Sequence, residues 1–407
     1  MKKEKEEFTF IDLFAGCGGL SEGFYKQGFK SLTHVEYDPY ACRTLKTRML
    51  HYGYSYEEAS VLETDITNDN IIDQIKKEIK DKKVDIIIGG PPCQSFSTLG
   101  RAKDDKGMAD DPRNFLFESY VKILNHFEPK VFVFENVTGL LSAKLKGKPI
   151  LKKILKELGQ KYNLIKEPEN MVLNSCDYGV PQIRKRVILI GTRKDLSIKP
   201  SEIYEGIIKT HYNPENELNS KNNLKKYVTV KDAISDLPAI KPGEGKIVIE
   251  HNVKEQNEFL IKIRNENETL LRDHIARTHN EQDRLRYKTM SKNKWTFTDL
   301  LEKKPDLNHI KQRVFNNSYV VQWWNLPSKT IIAHLYKDGN QFIHPDYKQE
   351  RTITPREAAR LQSFPDNFVF EGSRTQQYKQ IGNAVPPLMA EAIAKSIKKI
   401  LERIENV

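Results

Sequence analysis

The sequence predicts an α/β fold, a doubly wound, mostly parallel sheet, with a second, smaller and irregular domain. Three observations predict it. Strand-like and helix-like stretches alternate from Phe8 to Ile190, a glycine-rich turn follows the first strand, and beyond Gly191 the periodicity weakens as Asn, Lys and His accumulate.

In chain order, 8–14 reads as a strand, 19–28 as a helix, 33–36 as a strand and 39–49 as a helix. The alternation continues through a helix at 71–80, a strand at 84–88, a helix at 115–127, a strand at 131–134, a helix at 150–158 and a strand at 186–190. The irregular stretch holds aromatics among polar residues, as in Tyr319-Val320-Val321-Gln322-Trp323-Trp324. Either a small core or a base-contacting surface would use them. Order returns at Thr354-Pro355, a good helix start with proline in the first turn. Residues 388–404 then form an amphipathic helix with a lysine-rich outer face. The expected division is 1–194, 195–350, and a return segment 351–407 whose last helix packs on the first domain.

Composition narrows the class. The 407 residues carry 66 Lys plus Arg against 55 Asp plus Glu, a net charge of +11. That favours a polyanionic partner, although a lysine-rich surface that only aids solubility has the same count. No apolar run approaches the roughly 20 residues that span a bilayer. The first residues lack the apolar core of a signal peptide, so a cytoplasmic protein with no membrane partner is expected. Four cysteines without CxxC spacing suggest no disulfide framework and no metal site.

Two strand ends carry the chemistry. Val84 to Ile88 runs into Gly89-Gly90-Pro91-Pro92-Cys93-Gln94, where prolines stiffen the chain before a single thiol. A lone cysteine would usually only pack. Here the stiff turn and polar continuation make Cys93 a candidate nucleophile. Val131 to Phe134 ends in Glu135-Asn136, and parallel strands deliver functional residues at their carboxyl ends, so Cys93 and Glu135 can meet there.

A ligand pocket is expected at Asp12-Leu13-Phe14-Ala15-Gly16-Cys17-Gly18-Gly19-Leu20, a strand leading through glycines into a helix. A dinucleotide fingerprint would want glycine at 21, where serine stands, which argues against a dehydrogenase. Glu36 can accept hydrogen bonds from a ribose diol, Tyr37 offers a stacking surface, and Asp65 can accept from an exocyclic amine. Together they suit an adenosyl group without a pyrophosphate.

These residues resemble the cytosine-C5 DNA methyltransferases. The glycine turn, Pro91-Pro92-Cys93-Gln94, Phe134-Glu135-Asn136-Val137, Gln182-Ile183-Arg184-Lys185-Arg186, Arg351 to Phe364 and Gln380-Ile381-Gly382-Asn383-Ala384-Val385-Pro386-Pro387 match that family's motifs in order. The likeness covers the first 195 and the last 60 or so residues, not the middle. It implies the S-adenosyl-methionine-dependent methyltransferase fold, a catalytic domain at 1–194 and a target-recognition domain at 195–350. The implied reaction is methyl transfer from S-adenosyl-L-methionine to C5 of a flipped-out cytosine in a specific double-stranded DNA sequence, through a covalent adduct of Cys93 with C6. Glu135 would hydrogen-bond to cytosine N3 and its amine, and Arg184 and Arg186 would steady the cytosine carbonyl and the glutamate. Without the resemblance, that arginine pair reads as a surface salt-bridge strand.

The same mapping puts Phe14, Gly16, Gly18, Leu20, Glu36, Tyr37, Asp65, Pro91, Leu116 and Asn383 around the cofactor; Asn383 could equally cap a helix. Residues 95–111 would form a lid over DNA. Thr269-Leu270 and Thr330-Ile331 both match the Thr-aliphatic pair of the family's variable domain, and neither is preferred. A monomer is expected, with a cognate restriction endonuclease acting separately as a partner of a restriction-modification system. Two rivals stand beside this reading: a tRNA cytosine-C5 methyltransferase of the same fold, and a non-catalytic DNA-binding regulator, against which the retained Cys93, Glu135 and arginines speak.

Overall fold

A computed structural model describes residues 7–92, 115–145, 147–215, 223–251, 257–264, 269–308 and 318–405. The chain forms two compact units, Met1–Asn174 with Lys185–Lys209 and Pro387–Val407, and Ser175–Arg184 with Thr210–Pro386.

The first unit is built on one mixed sheet. Its strands are β1 (Thr9–Leu13), β2 (Lys30–Glu36), β3 (Val61–Glu63), β4 (Ile86–Gly89), β5 (Val131–Val137), β6 (Tyr162–Leu164), β7 (Val172–Asn174) and β8 (Lys185–Arg193). The order is β3-β2-β1-β4-β5-β8-β6, with β7 also paired to β8. The first five run parallel, and β8 is antiparallel to β5, β6 and β7. The doubly wound α/β expectation holds. The chain moves outward from β1 to β3 and then returns to the far side of β1 as β4, so the order reverses between β1 and β4. Crevices outside the carboxyl ends of strands at such a reversal are where ligands bind.

Fully buried parallel strands need continuous apolar runs. Ile86, Ile87 and Ile88 in β4 and Val131 to Phe134 in β5 are 0 % exposed. The helices α1 (Gly19–Lys26), α2 (Pro39–His51), α3 (Ile71–Ile79), α4 (Leu116–Phe127) and α5 (Ile150–Leu158) cover the sheet. On α3, Ile71, Ile75 and Ile79 are the buried stripe. Asp38 caps α2, accepting from the Tyr40 and Ala41 amides with proline at the first position.

The second unit has little regular structure, and buried charge pairs organise it. An antiparallel hairpin joins β9 (Gly245–Glu250) to β10 (Leu270–Ile275). A helix, α6 (Pro355–Leu361), starts in a capping box between Thr354 and Glu357 and is buried along its whole length. Arg351 grips Glu357 through two bonds of 2.7 Å, and Arg360 grips Asp366 at 2.8 and 2.7 Å. Tyr319 stacks on Phe297 with ring centroids 4.8 Å apart, and Trp323 packs against the same cluster. Tyr319 is therefore core, and the half-buried Trp323 packs at its margin. The helix α7 (Arg374–Asn383) also belongs to this unit.

The units do not follow the sequence boundaries at 194 and 350. Residues 351–386 cluster with the second unit, and so does the short stretch 175–184. The cause is hydrogen bonding: Gln182 Nε2 donates to the Leu361 carbonyl and to Gln362 Oε1. The last helix, α8 (Pro387–Glu405), lies in the first unit against α1.

Candidate active site

The carboxyl edge of the sheet gathers the functional groups of the first unit. After β1 the chain takes left-handed backbone at Phe14 (φ 58°), Gly16 (φ 56°) and Gly18 (φ 87°). For phenylalanine that conformation is strained, the kind of cost that persists where the surroundings fix it. At Gly18 a side chain would also collide with Leu45, its Cβ lying 2.7 Å from Cδ2. The turn places Leu20 in the first turn of α1, buried, and turns the Gly16 amide toward Glu36 Oε2 at 2.8 Å.

Glu36 ends β2 and is held by three backbone amides. Besides Gly16, Tyr37 and Asp38 donate to its Oε1 at 2.9 and 2.8 Å. Burial nonetheless raises its pKa above the ordinary carboxylate value, the three amides opposing. Oε1 is doubly occupied, so Oε2 is the oxygen with room for a further donor. The next residue, Tyr37, is 74 % exposed. Asp65 follows β3, exposed, with Oδ1 taken by the amide and hydroxyl of Thr67 and Oδ2 available as an acceptor. Leu116, half-buried at the start of α4, and Phe14 both pack on the main core. Asn383 is exposed and ends α7 in the second unit.

Ser21, whose presence broke the dinucleotide fingerprint, has a partner. Its hydroxyl donates to Asp12 Oδ2 at 2.5 Å beneath the glycine turn. Asp12 is 1 % exposed, and burial pushes its carboxyl up to about 8. The serine therefore satisfies a buried carboxyl, which a glycine there could not.

The second cluster lies at the ends of β4, β5 and β8. Register brings Glu135 opposite Ile188 and Val137 opposite Arg186, so Glu135 and Arg186 share a face one diagonal apart. Arg186 Nε meets Glu135 Oε1 at 2.9 Å, both largely buried. Burial lowers the Arg186 pKa from its ordinary value, with Glu135 acting the other way. The other oxygen lies toward β4: a Cβ on Gly90 would come within 2.8 Å of Glu135 Oε2. Glycine at 90 is thus what lets the carboxylate sit beside Pro91 and Pro92. Asn136 ties the two strand ends together, its Nδ2 donating to the Pro91 carbonyl at 3.0 Å and its Oδ1 accepting from the Val137 amide at 2.9 Å. The sequence reading gave this asparagine no role, although it stood beside Glu135 as the amide that ended the strand.

Arg184 is placed differently. It is 2 % exposed, and its terminal nitrogens donate to the carbonyls of Ile331 and Gly382 at 2.7 and 3.1 Å within the second unit. The geometry makes it a clasp on backbone, whereas Arg186 is the arginine on the glutamate. Near it, Thr330 Oγ1 donates to the Ile183 carbonyl at 2.6 Å, while Thr269 leads into the exposed start of β10. Cys93 and the 95–111 segment lie outside the described residues. The three described cysteines, Cys17, Cys42 and Cys176, are all buried. Burial raises each thiol, Cys42 and Cys176 to about 12 and Cys17 further, so none supplies a thiolate near neutrality. Among the described residues there is no cluster that could hold a metal ion, and no helix is long and apolar enough to cross a membrane.

Residues 8–399 match the family model for C-5 cytosine-specific DNA methylases. The chain belongs to that family. As a DNA cytosine-5 methyltransferase it resembles the Type II methyltransferase M.Bpa9945I of Bacillus paralicheniformis, 34 % identical with 96 % of this chain and 98 % of that protein covered. It is 36 % identical to the Type II methyltransferase M.DdeI of Desulfomicrobium norvegicum, over 98 % of this chain and 90 % of that one. Among solved structures, a prophage-encoded E. coli protein assigned as a DNA modification methyltransferase superposes with a TM-score of 0.71 at 27 % identity, covering 97 % of this chain and all of that one. The glycine turn, the Gly90–Pro92 turn and the Glu135–Asn136 pair fall on the strand ends described above, the Arg351–Phe364 motif lies in the second unit, and from Thr210 onward so does the middle region that no motif covers.

Proposed function

We propose that this methylase transfers the methyl group of S-adenosyl-L-methionine to C5 of a cytosine in a specific duplex DNA sequence, by covalent catalysis from Cys93. The observation that carries the reading is the convergence of Gly90, Pro91, Glu135, Asn136 and Arg186 at the carboxyl edge beside the β1–β4 reversal. The cofactor fits the other half of that edge: the Glu36 Oε2 acceptor, the exposed aromatic side chain of Tyr37 and the Asp65 carboxylate match a ribose, an adenine ring and its amine. When bound, the cofactor supplies an electrophilic methyl group on a sulfonium.

The chain's own residues make C5 receptive to it. Addition of the Cys93 thiolate to C6 forms an S–C bond and moves the ring electrons toward C5 and N3. Glu135 Oε2, left open by Arg186 on Oε1, faces N3 and stabilises the adduct by proton donation. Arg186 orients that carboxyl, and Arg184 clasps the Ile331 and Gly382 carbonyls of its own unit. Water takes the C5 proton as the thiolate is eliminated, and N3 returns its proton to Glu135, which restores the ring. In this reading the second unit supplies target recognition, and the Type II names of the relatives support a restriction-modification role beside a separate endonuclease. A monomer in the cytoplasm suits such an enzyme.

Two measurements test the assignment. Transfer of labelled methyl from S-adenosyl-L-methionine should enter duplex DNA as 5-methylcytosine; label entering tRNA instead would replace DNA with RNA as substrate. The variant Glu36→Ala should bind the cofactor about 10–100-fold more weakly by calorimetry, the loss of a hydrogen bond to a charged group. An unchanged affinity would remove Glu36 from the pocket.

A further inference from the structure

The stretch Ser142 to Lys156 holds six lysines and no carboxylate. Within it, Lys144–Leu145 and Lys148–Pro149 pair antiparallel as a two-stranded finger, its turn carrying Gly147 at φ 78°. The Ile150 amide donates to the Ala143 carbonyl at 3.1 Å and closes the base, while Leu145 packs on the main core and fixes the finger. Lys144 pairs opposite Pro149 and Lys148 opposite Leu145, so the two lysines occupy opposite faces. Both are exposed, as is Lys152 on α5. Among the described residues no carboxylate pairs with these three, whereas Lys153 is neutralised by Glu118 at 2.6 Å.

The finger stands at the catalytic edge. It follows β5 through the turn Thr138–Leu141, and α5 then runs back to the opposite edge, where β6 pairs with Gly191 to Arg193. An ordinary solvated face looks different: α8 mixes Glu391, Glu402 and Glu405 with its lysines. An unbroken basic finger that follows the Glu135 strand at its carboxyl edge fits a polyanion that must pass that edge for its cytosine to be reached.

We propose that Lys144 and Lys148 hold DNA phosphates flanking the target cytosine, giving the first unit its own sequence-independent grip on duplex DNA. This rests on the reading of duplex DNA as substrate. Phosphate contacts position a duplex without reading it, and each one lost lowers the slope of log Kd against log salt by about 0.9. The test is fluorescence anisotropy of the full-length Lys144→Ala/Lys148→Ala enzyme with labelled duplexes over a salt series. The slope should fall by about 2, equally on a cognate and an unrelated duplex. The control Lys395→Ala/Lys399→Ala, on exposed positions of α8, should keep the wild-type slope. A wild-type slope in the finger variant, or an equal fall in the control, overturns the assignment. Absence of duplex binding by the wild-type enzyme would instead overturn the DNA reading itself.

Discussion

Cys93→Ser should abolish methyl transfer and leave cofactor binding intact. An ordinary thiol titrates near pH 8.5 and is a strong nucleophile as the thiolate; a serine hydroxyl in its place has no comparable ionised form near neutrality. The groups proposed to bind the adenosyl moiety, Glu36, Tyr37 and Asp65, sit at the ends of β2 and β3, two and three strands from the β4 end that leads to Cys93. Removing one sulfur should therefore leave calorimetric affinity for S-adenosyl-L-methionine at the wild-type value while product falls below detection. Measurable turnover by the serine variant would reject Cys93 as nucleophile, and lost cofactor affinity would show that the residue supports the pocket.

Glu135→Gln should lower the single-turnover rate by about 10²–10⁴, the usual contribution of a positioned acid. The amide keeps the shape and can still accept from Arg186 Nε, so binding should change little. What it lacks is the carboxyl proton for N3. Gly90 and Asn136 predict that the variant folds normally, since neither contact requires the charge: Gly90 only leaves space for the oxygen, and Asn136 bonds to Pro91 and Val137. A wild-type rate in the variant would reduce Glu135 to a structural partner of Arg186.

Much of the first unit was legible because its strands are long apolar runs and its turns carry glycine and proline. Ile86–Gly89 and Val131–Val137 could hardly be anything but central strands. The three-residue strands β6 and β7 are too short to show a period, and nothing local marks β8 as antiparallel. The second unit resisted for another reason. Its buried pairs join residues far apart in sequence, as Arg360 does with Asp236, and such pairs leave no periodic trace. The site shows the same division. Glu36 and Glu135 could be named from their strand ends, whereas Arg184 looked equivalent to Arg186 until its nitrogens were found on the Ile331 and Gly382 carbonyls, acceptors that every residue carries. Gly90 was legible as a flexible residue, but not as the space into which the Glu135 carboxylate fits.

In the proposed mechanism a cytosine held by Glu135 and Arg186 becomes bonded to Cys93 during the reaction. That step can be tested by replacing cytosine with 5-fluorocytosine in a duplex that contains the methylated sequence and incubating it with enzyme and S-adenosyl-L-methionine. After methyl addition the fluorine cannot leave as a proton does, so elimination stops and the adduct should persist. The expected result is a protein–DNA complex stable to denaturation whose peptide map places the DNA on Cys93, absent from Cys93→Ser. An adduct on Cys17, Cys42 or Cys176, or methylated product formed with no complex in the wild-type enzyme, would contradict the mechanism.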